Sequence, residues 1–319
     1  SFVTQPSPLR LHFSRPNSWA CPDWRFLIHC WSHWPRNRDN PSTAASPVET
    51  LDAAIQALCG AASTQSQAHI KPVHNHLSHR LVLEGGFPPE WVHPKPPYEA
   101  KHKTNFAHEL ECVTEKPDAS ELRILGGIKA KNLDVTVVHP IIGPALGISA
   151  KSTGNAFRNL TNRMEEALGD CANIHMMYPG FVFGFLHFIK FASTCEIDRP
   201  DATFDAAGNP LPHLLRYHNV MVSLSGRATI TDPAMRYESV GLVVYECKDR
   251  KTQVYPHYPP PSSPVHYSRF FEHLYELYDL RFSYPFPQGQ TARKTWTLTN
   301  FAASGEFDVA LGFPWSARL

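Results

Sequence analysis

Residues 133–154 read LDVTVVHPIIGPALGISAKSTG, and this stretch decides the fold. LDVTVV (133–138) is a β-branched run, the composition of a strand. HPIIGP (139–144) carries two prolines and a glycine and reads as a turn. ALGIS (145–149) then opens a second strand that runs to about Ser152. So short a connection favours an antiparallel hairpin. Asp134 starts one strand and Lys151 ends the next, so pairing brings the two together. Ser149 and Lys151 are two residues apart and share a face.

Working outward, residues 155–170 (NAFRNLTNRMEEALGD) predict a helix, capped by Asn155 and stopped at Gly169. Phe157, Leu160, Met164, Ala167 and Leu168 form its apolar stripe. Residues 173–178 read as a short strand, and the apolar run 180–192 (GFVFGFLHFIKFA) as a buried helix. Upstream, residues 105–113 (NFAHELECV) read as a helix buried through Phe106, Leu110 and Val113, and a weaker strand is expected around 123–129. The order helix, hairpin, helix, strand, helix predicts an α/β (α+β) fold, a mixed central sheet flanked by helices. Helices are also expected over 48–60, 214–225 and 265–282, and a buried strand over 238–247. Residues 1–47, rich in Pro, Ser, Arg and Trp, show no period and read as an atypical or disordered extension. Residues 48–104 form a helical and proline-rich N-terminal part, with 85–100 a connector lacking packed structure. The core spans 105–192, and 193–319 elaborate the same domain with further helices.

A net charge of +1 places any nucleic-acid affinity in a local patch rather than a global field. Seven cysteines, an odd number without a C-x-x-C, predict a reduced, intracellular and hence cytoplasmic protein. No apolar run is long enough to span a bilayer, and the first residues lack the pattern of a signal peptide, so no membrane partner is expected. Cys21, His29, Cys30 and His33 do not have zinc-ligand spacing. His74, His76 and His79 (HNHLSH) read as surface histidines with no carboxylate near them. Phosphate-loop, serine-hydrolase and H-E-x-x-H motifs are absent.

A carboxylate and an amine at the joined ends of a hairpin suit phosphodiester chemistry. The carboxylate of Asp134 would hold Mg²⁺, which lowers the pKa of a bound water, while Lys151 stabilises charge growing on the phosphate. The bland reading pairs Asp134 with Lys129 or Lys131 and leaves Lys151 a solvated strand end. Likewise Arg158, Asn159, Asn162 and Arg163 contact DNA in one reading and merely solubilise a helix face in the other.

Asp134 with Ser149-Ala150-Lys151 resembles the PD-(D/E)XK signature of restriction endonucleases, and the element order resembles that superfamily's αβββαβ core. The resemblance covers about 90 of the 319 residues. The sequence departs from the pattern at Leu133, where proline is usual, and at Ser149, which cannot give a carboxylate to a metal. Some restriction enzymes with a Ser-x-Lys strand replace that acid with a glutamate about 14 residues further on, which here is Glu165, with Glu166 beside it. Glu109, on the helix before the sheet, is a second source of charge. The resemblance implies a restriction-endonuclease-like fold and a Mg²⁺-dependent endodeoxyribonuclease of type II restriction or defence. Asp134, Lys151, Glu165 and Ser149 would be its catalytic residues, and Asp134, Glu165 and Glu109 its metal ligands. Asn155, Arg158, Asn159, Asn162 and Arg163 would face double-stranded DNA, and cutting both strands would take a homodimer. The rivals are a non-catalytic DNA-binding or effector-complex subunit on the same fold, and an α/β protein unrelated to nucleic acid.

Overall fold

Two apolar runs, VFGFLHFI (182–189) and SVGLVVY (239–245), pair side by side in parallel at the centre of the main sheet. The computed structural model describes residues 51–59, 69–102, 108–113, 120–153, 160–195, 202–248, 251–284, 290–294 and 296–299, all within a unit spanning 45–319. The expected extension 1–47, the capping Asn155 and residues Phe106, Phe157, Arg158 and Asn159 lie outside the described residues.

The described part opens with helices α1 (Leu51–Cys59) and α2 (Lys71–Leu83), followed by strands β1 (Val92–His93), β2 (Tyr98–His102) and β3 (His108–Cys112). Next come β4 (Leu122–Ile124), β5 (Lys131–Leu133), β6 (Val135–His139) and β7 (Gly143–Thr153). Helix α3 (Leu160–Met177), β8 (Val182–Lys190), α4 (Pro212–Leu224), β9 (Ser239–Lys248), β10 (Lys251–Val254), α5 (Tyr267–Tyr278) and β11 (Thr297–Thr299) complete the order. The six-stranded sheet runs β1-β6-β7-β8-β9-β10. The pairs β1–β6, β6–β7 and β9–β10 are antiparallel, whereas β7–β8 and β8–β9 are parallel. A parallel pair needs a crossover, and α3 and α4 supply the two. Two smaller sheets, β11-β3-β2 and β4-β5, stand apart from it.

The hairpin forms where the sequence placed it, with Val135 opposite Ile148 and Val137 opposite Leu146. Gly143 holds φ +75°, a conformation that favours glycine, at the point where the turn enters β7. Alternation along β8 divides two cores. Phe183, Phe185 and Ile189 meet Met164, Ala167, Cys171 and Ile174 of α3 and Leu214, Tyr217 and Met221 of α4. Val182, Leu186 and Phe188 meet α1, α2 and α5 on the opposite face. At Gly184 an added Cβ would lie 2.7 Å from the Phe270 ring, so glycine lets α5 pack directly on the strand.

Several expectations change. The run 180–192 contains strand β8, not a helix: buried on both faces in a parallel sheet, a strand loses its alternation and reads as uninterrupted apolar sequence. Residues 173–177 continue α3 rather than forming a strand, because Met164, Ala167, Cys171 and Ile174 sustain one buried stripe past Gly169. Residues 108–112 are strand β3, with only Leu110 buried, instead of a helix. Residues 122–124 pair with β5, and the 128–129 backbone is held by Asn173, whose Oδ1 accepts from the N–H groups of Ile128 and Lys129. The proline-rich 85–100 segment is packed, with Phe87, Val92 and Tyr98 fully buried. Cys59 and Cys247, 188 residues apart, form a disulfide that ties α1 to β9, against the expectation of reduced thiols. Asp52 and Gln56 of α1 also accept hydrogen bonds from the backbone N–H groups of Val254 and Thr252 on β10. Among the described residues no helix is long and apolar enough to cross a membrane.

Candidate metal and phosphodiester site

Asp134 occupies the bend between β5 and β6, just before the first pair of the hairpin, and is buried. Its Oδ2 is anchored by three donors from β7. The Ala150 N–H donates at 2.8 Å, the Ser149 hydroxyl at 3.0 Å and the Lys151 ammonium at 3.4 Å. The carboxylate and amine that the sequence brought together are therefore in contact. Lys131 is engaged elsewhere, 2.5 Å from Asp170 Oδ2, so it does not neutralise Asp134. Ser149 orients Asp134 through its hydroxyl instead of adding charge.

The other oxygen, Asp134 Oδ1, faces away from these donors toward His74 Nε2 at 3.9 Å. His74 belongs to α2, whose Val73, Leu77 and Leu81 are buried in the core and carry the imidazole to the sheet end. Across the ring, His74 Nδ1 lies 3.6 Å from Oε1 of Glu121, the residue before β4. One ligand atom from each of His74, Glu121 and Asp134 lies within 4.8 Å of the others. His74 Nε2 and Glu121 Oε1 are buried with no hydrogen-bond partner among the described residues.

Electrostatics explain why this is an unusual place for three such groups. Burial pushes the His74 pKa down, helped by the Lys151 and Lys71 cations and opposed by Asp134, so the imidazole is held neutral. Burial raises the Glu121 carboxyl, with Asp134 adding to the rise and the two lysines opposing it. Two carboxylates thus share a poorly solvated corner with a neutral imidazole and one nearby amine. The residues fit a cation: two oxygens and a nitrogen converge, and two of their buried atoms have no hydrogen-bond partner among the described residues.

On the α3 side, Ser149 and Lys151 border a small recess lined also by Arg163, Glu166, Phe185 and His187. His187 stands opposite Lys151 in the β7–β8 register and is buried. The Tyr217 hydroxyl is 2.9 Å from its Nδ1 and the Thr153 hydroxyl 3.3 Å from its Nε2. Burial, then the charges of Arg163 and Lys151, pull its pKa down to about 3, which makes it a neutral support beneath Lys151.

The remaining expected residues lie apart from the cluster. Glu165 is exposed on α3, while Glu166 is 3.0 Å from Arg163. Glu109 lies on β3 in the separate three-stranded sheet, opposite Lys101 and Thr297, not on a helix beside the hairpin. Asn162 is exposed on α3 and Arg163 partly buried. Sequence reading missed His74 and Glu121. The histidine triplet is buried, not superficial, with His74, His76 and His79 at 3%, 1% and 7% exposure. Its one usable signal was that HNHLSH shares a helix with a regular apolar stripe. Glu121 carried no signal of its own.

The chain matches no protein-family model, no curated protein and no solved structure.

Proposed function

We propose that the chain is a metal-dependent endodeoxyribonuclease with a restriction-endonuclease-like core, hydrolysing phosphodiester bonds of double-stranded DNA. The observation that carries this reading is the contact between Asp134 and Lys151 at the open end of the hairpin, beside His74 and Glu121 atoms that have no hydrogen-bond partner among the described residues. The element order gives it support: an antiparallel β6–β7 pair, the α3 crossover and a parallel β8 follow one another as in an αβββαβ core.

Asp134, Glu121 and His74 would hold a divalent cation, Mg²⁺ being the ion the resemblance implies. A cation held there would supply charge to offset the phosphate and lower the pKa of a bound water. The chain's own groups do the rest. Ser149 and the Ala150 N–H fix Oδ2 of Asp134, leaving Oδ1 free to bind. Lys151, 30% exposed at its side chain, can leave Asp134 to meet a phosphate oxygen and stabilise its growing charge. Asn162 and Arg163 on α3, together with Asn155, Arg158 and Asn159, would contact the DNA backbone. Cutting both strands would take two copies, so a homodimer is part of the proposal.

One observation favours a second reading, a DNA-binding subunit that does not cut. The acidic position of the motif is Ser149, and Glu165, the residue expected to replace its charge, is exposed away from the cluster. Incubating the purified chain with supercoiled plasmid separates the two. Nicked or linear product that needs Mg²⁺ or Mn²⁺ supports the nuclease. DNA retention in Ca²⁺ with no cutting under either activating ion replaces it with the binding subunit, and no retention at low salt removes both.

A further inference from the structure

We infer that the His74–Glu121–Asp134 cluster is a site for a first-row transition ion, chosen over Mg²⁺ by the imidazole of His74. The inference deepens the cation site of the proposed function and rests on that site, but not on the nature of the substrate.

The donor set carries the argument. Mg²⁺ demands oxygen ligands and keeps several waters, and it is seldom held by nitrogen. Imidazole instead suits first-row transition ions, whose affinity for a given site rises along the series from Mn²⁺, the weakest binder and so the strictest probe. Here the nitrogen is a built part of the site, since the His74 side chain is 3% exposed and its Nε2 points at Asp134 Oδ1 with no hydrogen-bond partner. A cation that takes only oxygens would leave that buried nitrogen unpaired, which disfavours it. His74 Nε2 lies 3.9 Å from Asp134 Oδ1 and its Nδ1 3.6 Å from Glu121 Oε1, too far for hydrogen bonds, so both carboxylates can turn to an ion beside the imidazole. Lys151 and Ser149 grip only the far oxygen of Asp134, and the near oxygen is left for the ion.

The test titrates Mn²⁺ and, separately, Mg²⁺ into the full chain by calorimetry, with pulsed EPR on the Mn²⁺ form. The expected result is Mn²⁺ binding about tenfold or more tighter than Mg²⁺, with the nitrogen modulation of a coordinated imidazole. His74→Gln should lose that modulation and close the affinity gap to within a few-fold, its fold checked by circular dichroism. A wild-type Mn²⁺ spectrum without nitrogen modulation overturns the inference, as does modulation that survives in His74→Gln. Should His74→Gln fail to fold, Asp134→Asn serves in its place: it keeps the imidazole but removes the carboxylate beside it. Undiminished modulation and affinity in Asp134→Asn then overturn the site. Nitrogen-coupled Mn²⁺ without DNA cleavage leaves this inference standing and removes the nuclease. Cleavage without nitrogen coupling does the reverse.

Discussion

Among the described residues, the carboxylate at Glu238 and the pair at the hairpin end are built on opposite principles. At Glu238, beside the start of β9, both carboxylate oxygens are partnered. Its Oε1 accepts from Arg227 and Arg281 at 2.7 Å each, and its Oε2 accepts from the Phe183 N–H at 2.8 Å and lies 3.3 Å from His175. Burial alone would raise this carboxyl, but His175 and then Arg281 outweigh it and hold it below the usual range. At the hairpin end, Glu121 and Asp134 sit beside a neutral histidine, with partnerless buried atoms and a raised Glu121. Breaking a fully partnered buried charge is costly, whereas a partly partnered one marks a candidate site.

The contrast is sharpest under mutation. Glu238→Ala leaves two buried guanidinium groups without their carboxylate and should cost about 3–5 kcal/mol, read as a lower urea midpoint. A loss under 1 kcal/mol would mean the cluster is dispensable.

Acid should act on the elements that carry the site. His79 on α2 and His187 on β8 are buried with pKa values near 3, against 6.5 in an unfolded chain. Between those values the unfolded chain binds protons that the folded one refuses. Stability therefore falls as pH drops from about 6.5 toward 3, by up to about 1.4 kcal/mol per pH unit for each histidine. Denaturation midpoints across that window check this, and a His187→Gln variant should show the shallower slope.

Glu121→Gln should move the other way from Glu238→Ala. Removing one of two crowded acids should stabilise the metal-free protein by about 1 kcal/mol while abolishing cation binding. Thermal melts with and without Mn²⁺ read both, and a large destabilisation would place Glu121 in the structural class. The smallest effect belongs to Glu165→Ala. Exposed and outside the cluster, it should change stability by less than about 0.5 kcal/mol and cleavage by less than about twofold. A hundred-fold loss would return Glu165 to the metal.

How much of this was legible depended on the range of the interaction. The hairpin was readable because Asp134 and Lys151 are joined by one short turn, and α1, α4, α5 and β9 because each shows its own periodicity or composition. Strand β8 was not, since burial on both faces erases the alternation that separates strand from helix. Nor was β3, whose neighbours β2 and β11 come from both sides of the hairpin in sequence. No acid from a preceding helix joins Asp134 among the described residues; the group from a helix there is His74 of α2, about 60 residues earlier in the chain. Only packing of α2 against the sheet brings them together. Glu121 is placed by the β4–β5 pair, which sequence reading saw only as a weak strand.

The proposed chemistry requires Lys151 to act upon a phosphate that Asp134 helps to hold. The most direct measurement compares plasmid cleavage by the wild-type chain and by Lys151→Ala, at equal fold and saturating divalent ion. The expected loss is about 10²–10³-fold in rate, the size seen when one transition-state donor is removed, with the melting temperature nearly unchanged. Equal cleavage by both proteins would contradict it.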